Sequence, residues 1–170
     1  MMMTVGNKVV YPAQGPCLIG AVDNRIIYGR QMMFYQLIVL NNGGGKMFVP
    51  VDNAQAVGIR PLLRKTEIPK LMDRLKQPTQ AADNCKQRAR DNLKLLASGS
   101  AFDLAKVVES LTELSETKKL SFGEHRMLDR ARALLVYEIS EVIGETKENV
   151  EQLVDMALKA RIGEVKAEFI

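Results

Sequence analysis

The sequence predicts an α+β protein: a small antiparallel β module over residues 1–62, followed by an all-α helical bundle over residues 63–170. Three observations predict it. Up to Leu62 the apolar residues come in short β-branched and aromatic runs; beyond it they recur at the spacing of one helix face. The early runs are separated by Gly, Pro, Asn and Asp, the punctuation of hairpins. The later stretch carries helix caps, the clearest being Ser121-Phe122-Gly123-Glu124, an S-x-x-E capping box.

The β module reads as five runs in order: Val9-Val10-Tyr11, Cys17-Leu18-Ile19, Ile26-Ile27-Tyr28, Phe34 to Leu40, and Met47-Phe48-Val49. Pro12, Gly15-Pro16, Asp23-Asn24, Tyr28-Gly29 and Asn41-Asn42-Gly43-Gly44-Gly45 punctuate them. The last of these is longer than a two-residue turn and is expected to be mobile. Roughly sixty residues is marginal for an independent core, so this module is expected to lean on a neighbour or a partner.

The helical part begins with a short helix capped at Thr66, with Ile68, Leu71, Met72 and Leu75 on one face and Pro69 tolerated in the first turn. Gln77-Pro78-Thr79-Gln80 stops it. Asp83-Asn84 then caps a cation-rich helix that ends near Ser98-Gly99-Ser100. Lys86, Arg90 and Lys94 fall at i, i+4 and i+8 as one stripe. Cys85, Ala89, Leu93, Leu96 and Ala97 mark the other, apolar stripe, which is expected to sit on the core. The cationic stripe suits nucleic-acid phosphate; a solvated cationic face with no partner produces the same pattern. Leu104, Val107, Val108, Leu111 and Leu114 define the next helix. The capping box opens the longest one, with Met127, Leu128, Ala131, Leu134, Leu135, Ile139, Val142 and Ile143 in phase and Gly144 at its end. Val150, Leu153, Val154, Ala157 and Leu158 define the last, giving about five helices and no internal repeat.

Charge is distributed unevenly. Residues 1–62 carry five cations against two acids, residues 63–119 twelve against eight, and residues 120–170 seven against ten, for a net +4. An anionic partner is steered to the first two thirds. No apolar run approaches a membrane span and no signal-peptide pattern follows Met1-Met2-Met3, so a cytoplasmic protein is expected. Cys17 and Cys85 make no disulfide framework, and with His125 as the single histidine a zinc site is not expected.

The usual catalytic signatures are missing: no G-x-x-x-x-G-K-[ST], no G-x-G-x-x-G after a strand, no H-E-x-x-H. Gly43-Gly44-Gly45 lies between strands and reads as a hairpin loop rather than a phosphate cradle. His125 has no nucleophile beside it and reads as a surface residue, and Glu138, Glu141, Glu145 and Glu148 read as a solvated helix face. No enzyme and no cofactor are expected.

Several segments, in order, resemble the CarD-like (CdnL) bacterial transcription regulators. They are Val5-Gly6-Asn7-Lys8-Val9-Val10-Tyr11-Pro12-Ala13-Gln14-Gly15, Lys46-Met47-Phe48-Val49-Pro50-Val51, Val57-Gly58-Ile59-Arg60, and Lys86-Gln87-Arg88-Ala89-Arg90-Asp91-Asn92-Leu93. Leu96-Ala97-Ser98-Gly99 and Glu124-His125-Arg126-Met127-Leu128-Asp129-Arg130-Ala131-Arg132 continue the match. The resemblance implies a Tudor-like module that docks on the β subunit of RNA polymerase. It also implies a helical domain that touches promoter DNA at the edge of the melted region, so that a single copy of the chain, held at the nucleoid by polymerase, modulates open-complex stability. The implied polymerase contacts are Arg25 and the strand Met47-Phe48-Val49-Pro50, whose backbone edge a partner strand could extend. The implied DNA contacts are Lys86, Arg88 and Arg90, on phosphate and without sequence preference.

One departure stands out. At the position of Cys85 the family usually carries a tryptophan that wedges into the minor groove, and this chain has no tryptophan. Cysteine offers too little area to offset unstacking. No aromatic lies between Thr79 and Ala101, and Phe102, the nearest, is expected in the core. Two other readings therefore stay open: an adaptor that binds polymerase or another β-edge partner without productive DNA contact, and a thiol sensor built on Cys85 beside Lys86 and Arg88.

Overall fold

The computed structural model describes residues 3–41 and 43–168, with side chains through Arg161; Asn42 of the Asn-Asn-Gly-Gly-Gly run lies outside the described residues. The chain divides into two compact units, Met1–Leu62 and Leu63–Ile170.

The first unit is an antiparallel sheet of five strands: β1 (Lys8–Tyr11), β2 (Gly15–Ile27), β3 (Arg30–Val39), β4 (Lys46–Pro50) and β5 (Arg60–Pro61), in the order β4-β3-β2-β1-β5. Its core is one face of the sheet, with Val9, Cys17, Ile19, Tyr35, Leu37, Val39 and Val49 closed over by Ala54 and Ile59. Cys17–Ile19 and Ile26-Ile27, read as parts of two separate strands, belong to the single strand β2, and Tyr28, the last residue of the second run, lies in the turn that follows. Asp23 and Asn24 do not turn the chain; they stand opposite Phe34 and Met33 in the ladder. A two-residue hairpin of type I′ needs positive φ at both central positions, and Tyr28 (51°) and Gly29 (74°) supply it. A register shift between Ile19 and Ala21 marks a bulge at Gly20 that bends the strand. The stretch after β4, left unassigned by periodicity, forms a 3-10 turn (Val51–Asn53) and a one-turn helix, α1 (Ala54–Val57). Gly58 ends it at φ 92° and returns the chain to pair β5 with β1.

The second unit holds α2 (Ile68–Lys76), α3 (Cys85–Ala97), α4 (Ala101–Thr117), α5 (Phe122–Ile143) and α6 (Lys147–Glu168). Ile68, Leu71, Leu104, Val107, Val108, Leu111, Leu134, Leu135, Ile139, Val150 and Val154 share one core. Thr66 does not cap α2. It sits inside a 3-10 turn (Lys65–Glu67), where the Glu67 carboxylate accepts the Arg64 N–H at 2.8 Å. The capping box at Ser121 forms in both directions: the hydroxyl accepts from Glu124 N at 3.2 Å, and the Glu124 carboxylate accepts from Ser121 N at 3.3 Å.

Buried charge shapes this unit more than the sequence pattern suggests. Glu138, read as solvated, is 1% exposed and accepts the Leu63 N–H at 3.1 Å. Glu109 is fully buried; it accepts the Thr79 N–H at 2.7 Å and faces Arg161, whose guanidinium also reaches Glu113 and Glu116. Burial raises the Glu109 carboxyl above its ordinary value, against the lowering effect of the Thr79 hydrogen bonds and Arg161, with Glu113 adding to the rise.

Candidate functional site

Two surfaces, one in each unit, carry the residues singled out from the sequence. In the first, β4 pairs with β3 on one side and lies at the sheet margin, so its other backbone edge carries no strand among the described residues. Period-2 alternation divides its side chains. Met47 and Val49 stand opposite Leu37 and Tyr35 on the core face, and Val49 is 5% exposed. Phe48, opposite Gln36, points outward and is 42% exposed. Arg25 joins it from β2: its guanidinium lies 4.3 Å from the Phe48 ring centroid and 3.8 Å from Asp23. The expected contact strand is thus split, with Phe48 and Arg25 presented and Val49 serving the core. The β2–β3 hairpin adds exposed apolar side chains: Ile26 and Tyr28, from a run read as a strand of its own, and Met33.

In the second unit the basic helix forms where expected. Asn84 caps α3, its side-chain oxygen accepting from Lys86 N at 2.8 Å and Gln87 N at 3.4 Å. Lys86, Arg90 and Lys94 are exposed as one stripe. Of the apolar stripe expected on the core, Leu96 faces inward, whereas Cys85, Ala89, Leu93 and Ala97 are exposed, Leu93 by 55%. The inward side is Arg88, Asn92, Leu95 and Leu96. The reason is an ion pair. Arg88 donates to the Glu124 carboxylate at 2.9 Å, both side chains being about nine-tenths buried, and also to the carbonyls of Ala82 and Asp83. Arg88 is therefore an internal tether, not a cation presented beside Lys86 and Arg90.

Glu124 is the hub of this arrangement. One carboxylate oxygen receives Arg88 and, at 3.5 Å, the Cys85 thiol; the other closes the capping box. Burial opposes its ionisation, but the hydrogen bonds from Arg88, Ser121 and Cys85 and the Arg88 charge outweigh it, holding the carboxyl below its ordinary value. The first turns of α3 and α5 are locked together as a result. Between them Cys85, Ala89, Leu93, Ser121, Gly123 and Met127 help to line a small cavity of about 200 Å³. Farther along, Leu93, Leu96, Arg126, Met127 and Arg130 line an open groove of about 740 Å³. Phe102 is half-buried against the core, but Phe122 at the first position of α5 is 79% exposed. Its phase offered a signal: it lies five residues before Met127, off the apolar stripe of its helix.

Cys17 is buried, and burial pushes its thiol up to about 11 despite an opposing backbone hydrogen bond. Among the described residues no helix is long and apolar enough to cross a membrane, and no cluster of three or more His, Cys, Asp or Glu could hold a metal ion.

Comparison with known proteins gives matches in both units. Residues 3–63 match the domain family described as "CarD-like/TRCF RID domain", and residues 70–155 match the one described as "CarD, C-terminal domain". A protein of Bacillus subtilis (strain 168), described as "Putative transcription factor YdeB", is 23% identical over 151 residues, covering 88% of this chain and 98% of that one. The solution NMR structure of the 72-residue N-terminal domain of Myxococcus xanthus CarD aligns with a TM-score of 0.31 at 32% identity, covering 35% of this chain and 79% of that chain.

Proposed function

The chain belongs to the CarD-like family of RNA polymerase-interacting, non-catalytic transcription regulators, and on that premise we propose that it binds the polymerase β subunit through β4 and touches promoter DNA through α3. The observation that carries this reading is the unpaired margin of β4. A partner strand added there gains main-chain hydrogen bonds, and the outward Phe48 beneath Arg25 supplies a side-chain anchor. Lys86 and Arg90, with Lys94 a turn on, then meet phosphate at a place fixed by docking. Two or three such contacts bind free duplex weakly and with strong salt dependence, each neutralised phosphate contributing about −0.9 to the log–log salt slope. Tethering to polymerase raises the effective concentration until they count, and the open promoter complex is stabilised.

The adaptor reading keeps two specific supports: Arg88 is engaged inside the protein, and Cys85 has too little area to act as a wedge. The two readings separate in one experiment, capture of polymerase by the full chain and the lifetime of a promoter open complex. Arg25→Glu with Phe48→Ala is expected to weaken capture and shorten the lifetime together. Lys86→Glu with Arg90→Glu is expected to leave capture intact and still shorten the lifetime. An unchanged lifetime in that second variant would replace DNA contact by the adaptor role.

A further inference from the structure

We infer that Phe122 is a base-stacking residue, which takes up an unpaired nucleic-acid base at the first turn of α5. The inference rests on the DNA-contacting reading and adds to it a site on a different helix. Phe122 is 79% exposed, so its ring contributes little to the core. Its neighbours Ser121 and Gly123 line the same small cavity as Cys85, Ala89 and Leu93, and Glu124 binds both Cys85 and Arg88. The first turn of α5, which carries the ring, therefore packs against the start of the basic helix.

The chemistry of that surface selects the occupant. Lys86 and Arg90 stand on α3, Arg126 and Arg130 on α5, all exposed, and Asp129 is the acid of the adjoining groove. The Arg126 guanidinium lies 5.7 Å from the Phe122 centroid, within cation–π range. A flat apolar ring with an arginine over it, on a unit that exposes further cations, matches a polyanion that also offers flat apolar faces. A paired duplex turns phosphates outward and keeps its bases stacked, whereas a melted junction frees a base to stack on an aromatic side chain. Cys85 has no surface of that kind; Phe122 does.

The test compares the full-length protein on a short duplex and on the same duplex carrying an unpaired extension, by fluorescence anisotropy at low salt. The forked DNA is expected to bind about ten-fold tighter, in the range that stacking on one aromatic gives. Phe122→Ala is expected to bring fork binding down to the duplex level without changing duplex binding, and Phe122→Trp to keep the preference. Lys86→Glu with Arg90→Glu is expected to weaken both DNAs alike. Because the ring is exposed, these variants should fold, which circular dichroism checks. A fork preference that survives Phe122→Ala, or a parent that binds both DNAs equally, overturns the stacking role and leaves phosphate contact standing. A parent that binds neither DNA overturns the stacking role, and the DNA-contacting reading is then decided by the open-complex lifetime of Lys86→Glu with Arg90→Glu. Loss of polymerase capture in Phe122→Ala would reassign the ring to a protein contact and overturn the inference as well.

Discussion

The strand Lys46–Pro50 and the helix Cys85–Ala97 present comparable exposed side chains, but they are held in place by different forces. The strand is fixed by its ladder to β3 and by Met47 and Val49 entering an apolar core, so its outer side chains are free of structural duty. The helix is apolar-packed at its C-terminal half through Leu95 and Leu96 and held by charge at its start, where Arg88 is turned inward and Glu124 receives it at 2.9 Å. A ladder with apolar burial tolerates change at exposed positions. A buried ion pair does not, because removing one partner strands the other in a poorly solvated place. The difference implies that stability and contact are separable residue by residue in the strand and intertwined at the start of the helix.

The largest effect should come from breaking the tether. Glu124→Ala removes the partner of Arg88 and half of the capping box, and is expected to destabilise the helical unit by about 3 kcal/mol. Hydrogen exchange should show lost protection in α3 and the start of α5, with the sheet unchanged. Equal loss in both units, or none, would show that the ion pair does not hold the start of α3. Acid sharpens it. Glu124 has a folded value below the ordinary 4.5, so its stabilisation is present above that pH and is lost as pH falls through the lowered value. Glu109 is shifted the other way and favours folding at acid pH, a contribution that fades as pH rises. Glu124→Gln should therefore flatten the acid limb of the stability profile.

Alternation made the strand legible. Knowing that Phe48 and Val49 are adjacent is enough to know that they face opposite ways, although not which is inside. The helix was harder because apolar phase misled. Cys85, Ala89 and Leu93 make an apolar line at helical spacing, yet the buried side is one residue-phase away, where a cation and an amide lie. Hydrophobic periodicity has no means of seeing an arginine whose partner is 36 positions later. The same blindness assigned Glu138 to solvent. The long strand β2 was missed for a local reason: Asp23 and Asn24 resemble a turn, but positive φ was available at Tyr28-Gly29, and the hairpin turned there. The capping box and the in-phase residues of α5 were readable because both signals are local.

A middle-sized effect compares neighbours within the strand. Val49→Ala removes buried methyl groups and should cost the β unit about 1–2 kcal/mol, whereas Phe48→Ala, at a side chain 42% exposed, should cost well under 1 kcal/mol. Polymerase capture should follow the opposite order, with Phe48→Ala the more damaging. If both properties track the same residue, the division of this strand into a core side and a contact side is wrong.

The smallest expected effect concerns Cys85. Its thiol is a weak donor 3.5 Å from a carboxylate that Arg88 and Ser121 already satisfy, and the residue itself is exposed. Serine keeps a donor of similar size, so Cys85→Ser should change the stability of the helical unit by no more than about 0.5 kcal/mol, typical of a surface substitution. Open-complex lifetime should be unchanged to the same degree, and insensitive to oxidant in both proteins. This insensitivity follows because Glu124 is held chiefly by Arg88 and the capping box rather than by the thiol. A lifetime that responds to oxidant in the parent and not in Cys85→Ser would show that the thiol, not the ion pair, governs the start of the basic helix, and would put the thiol-sensor reading first.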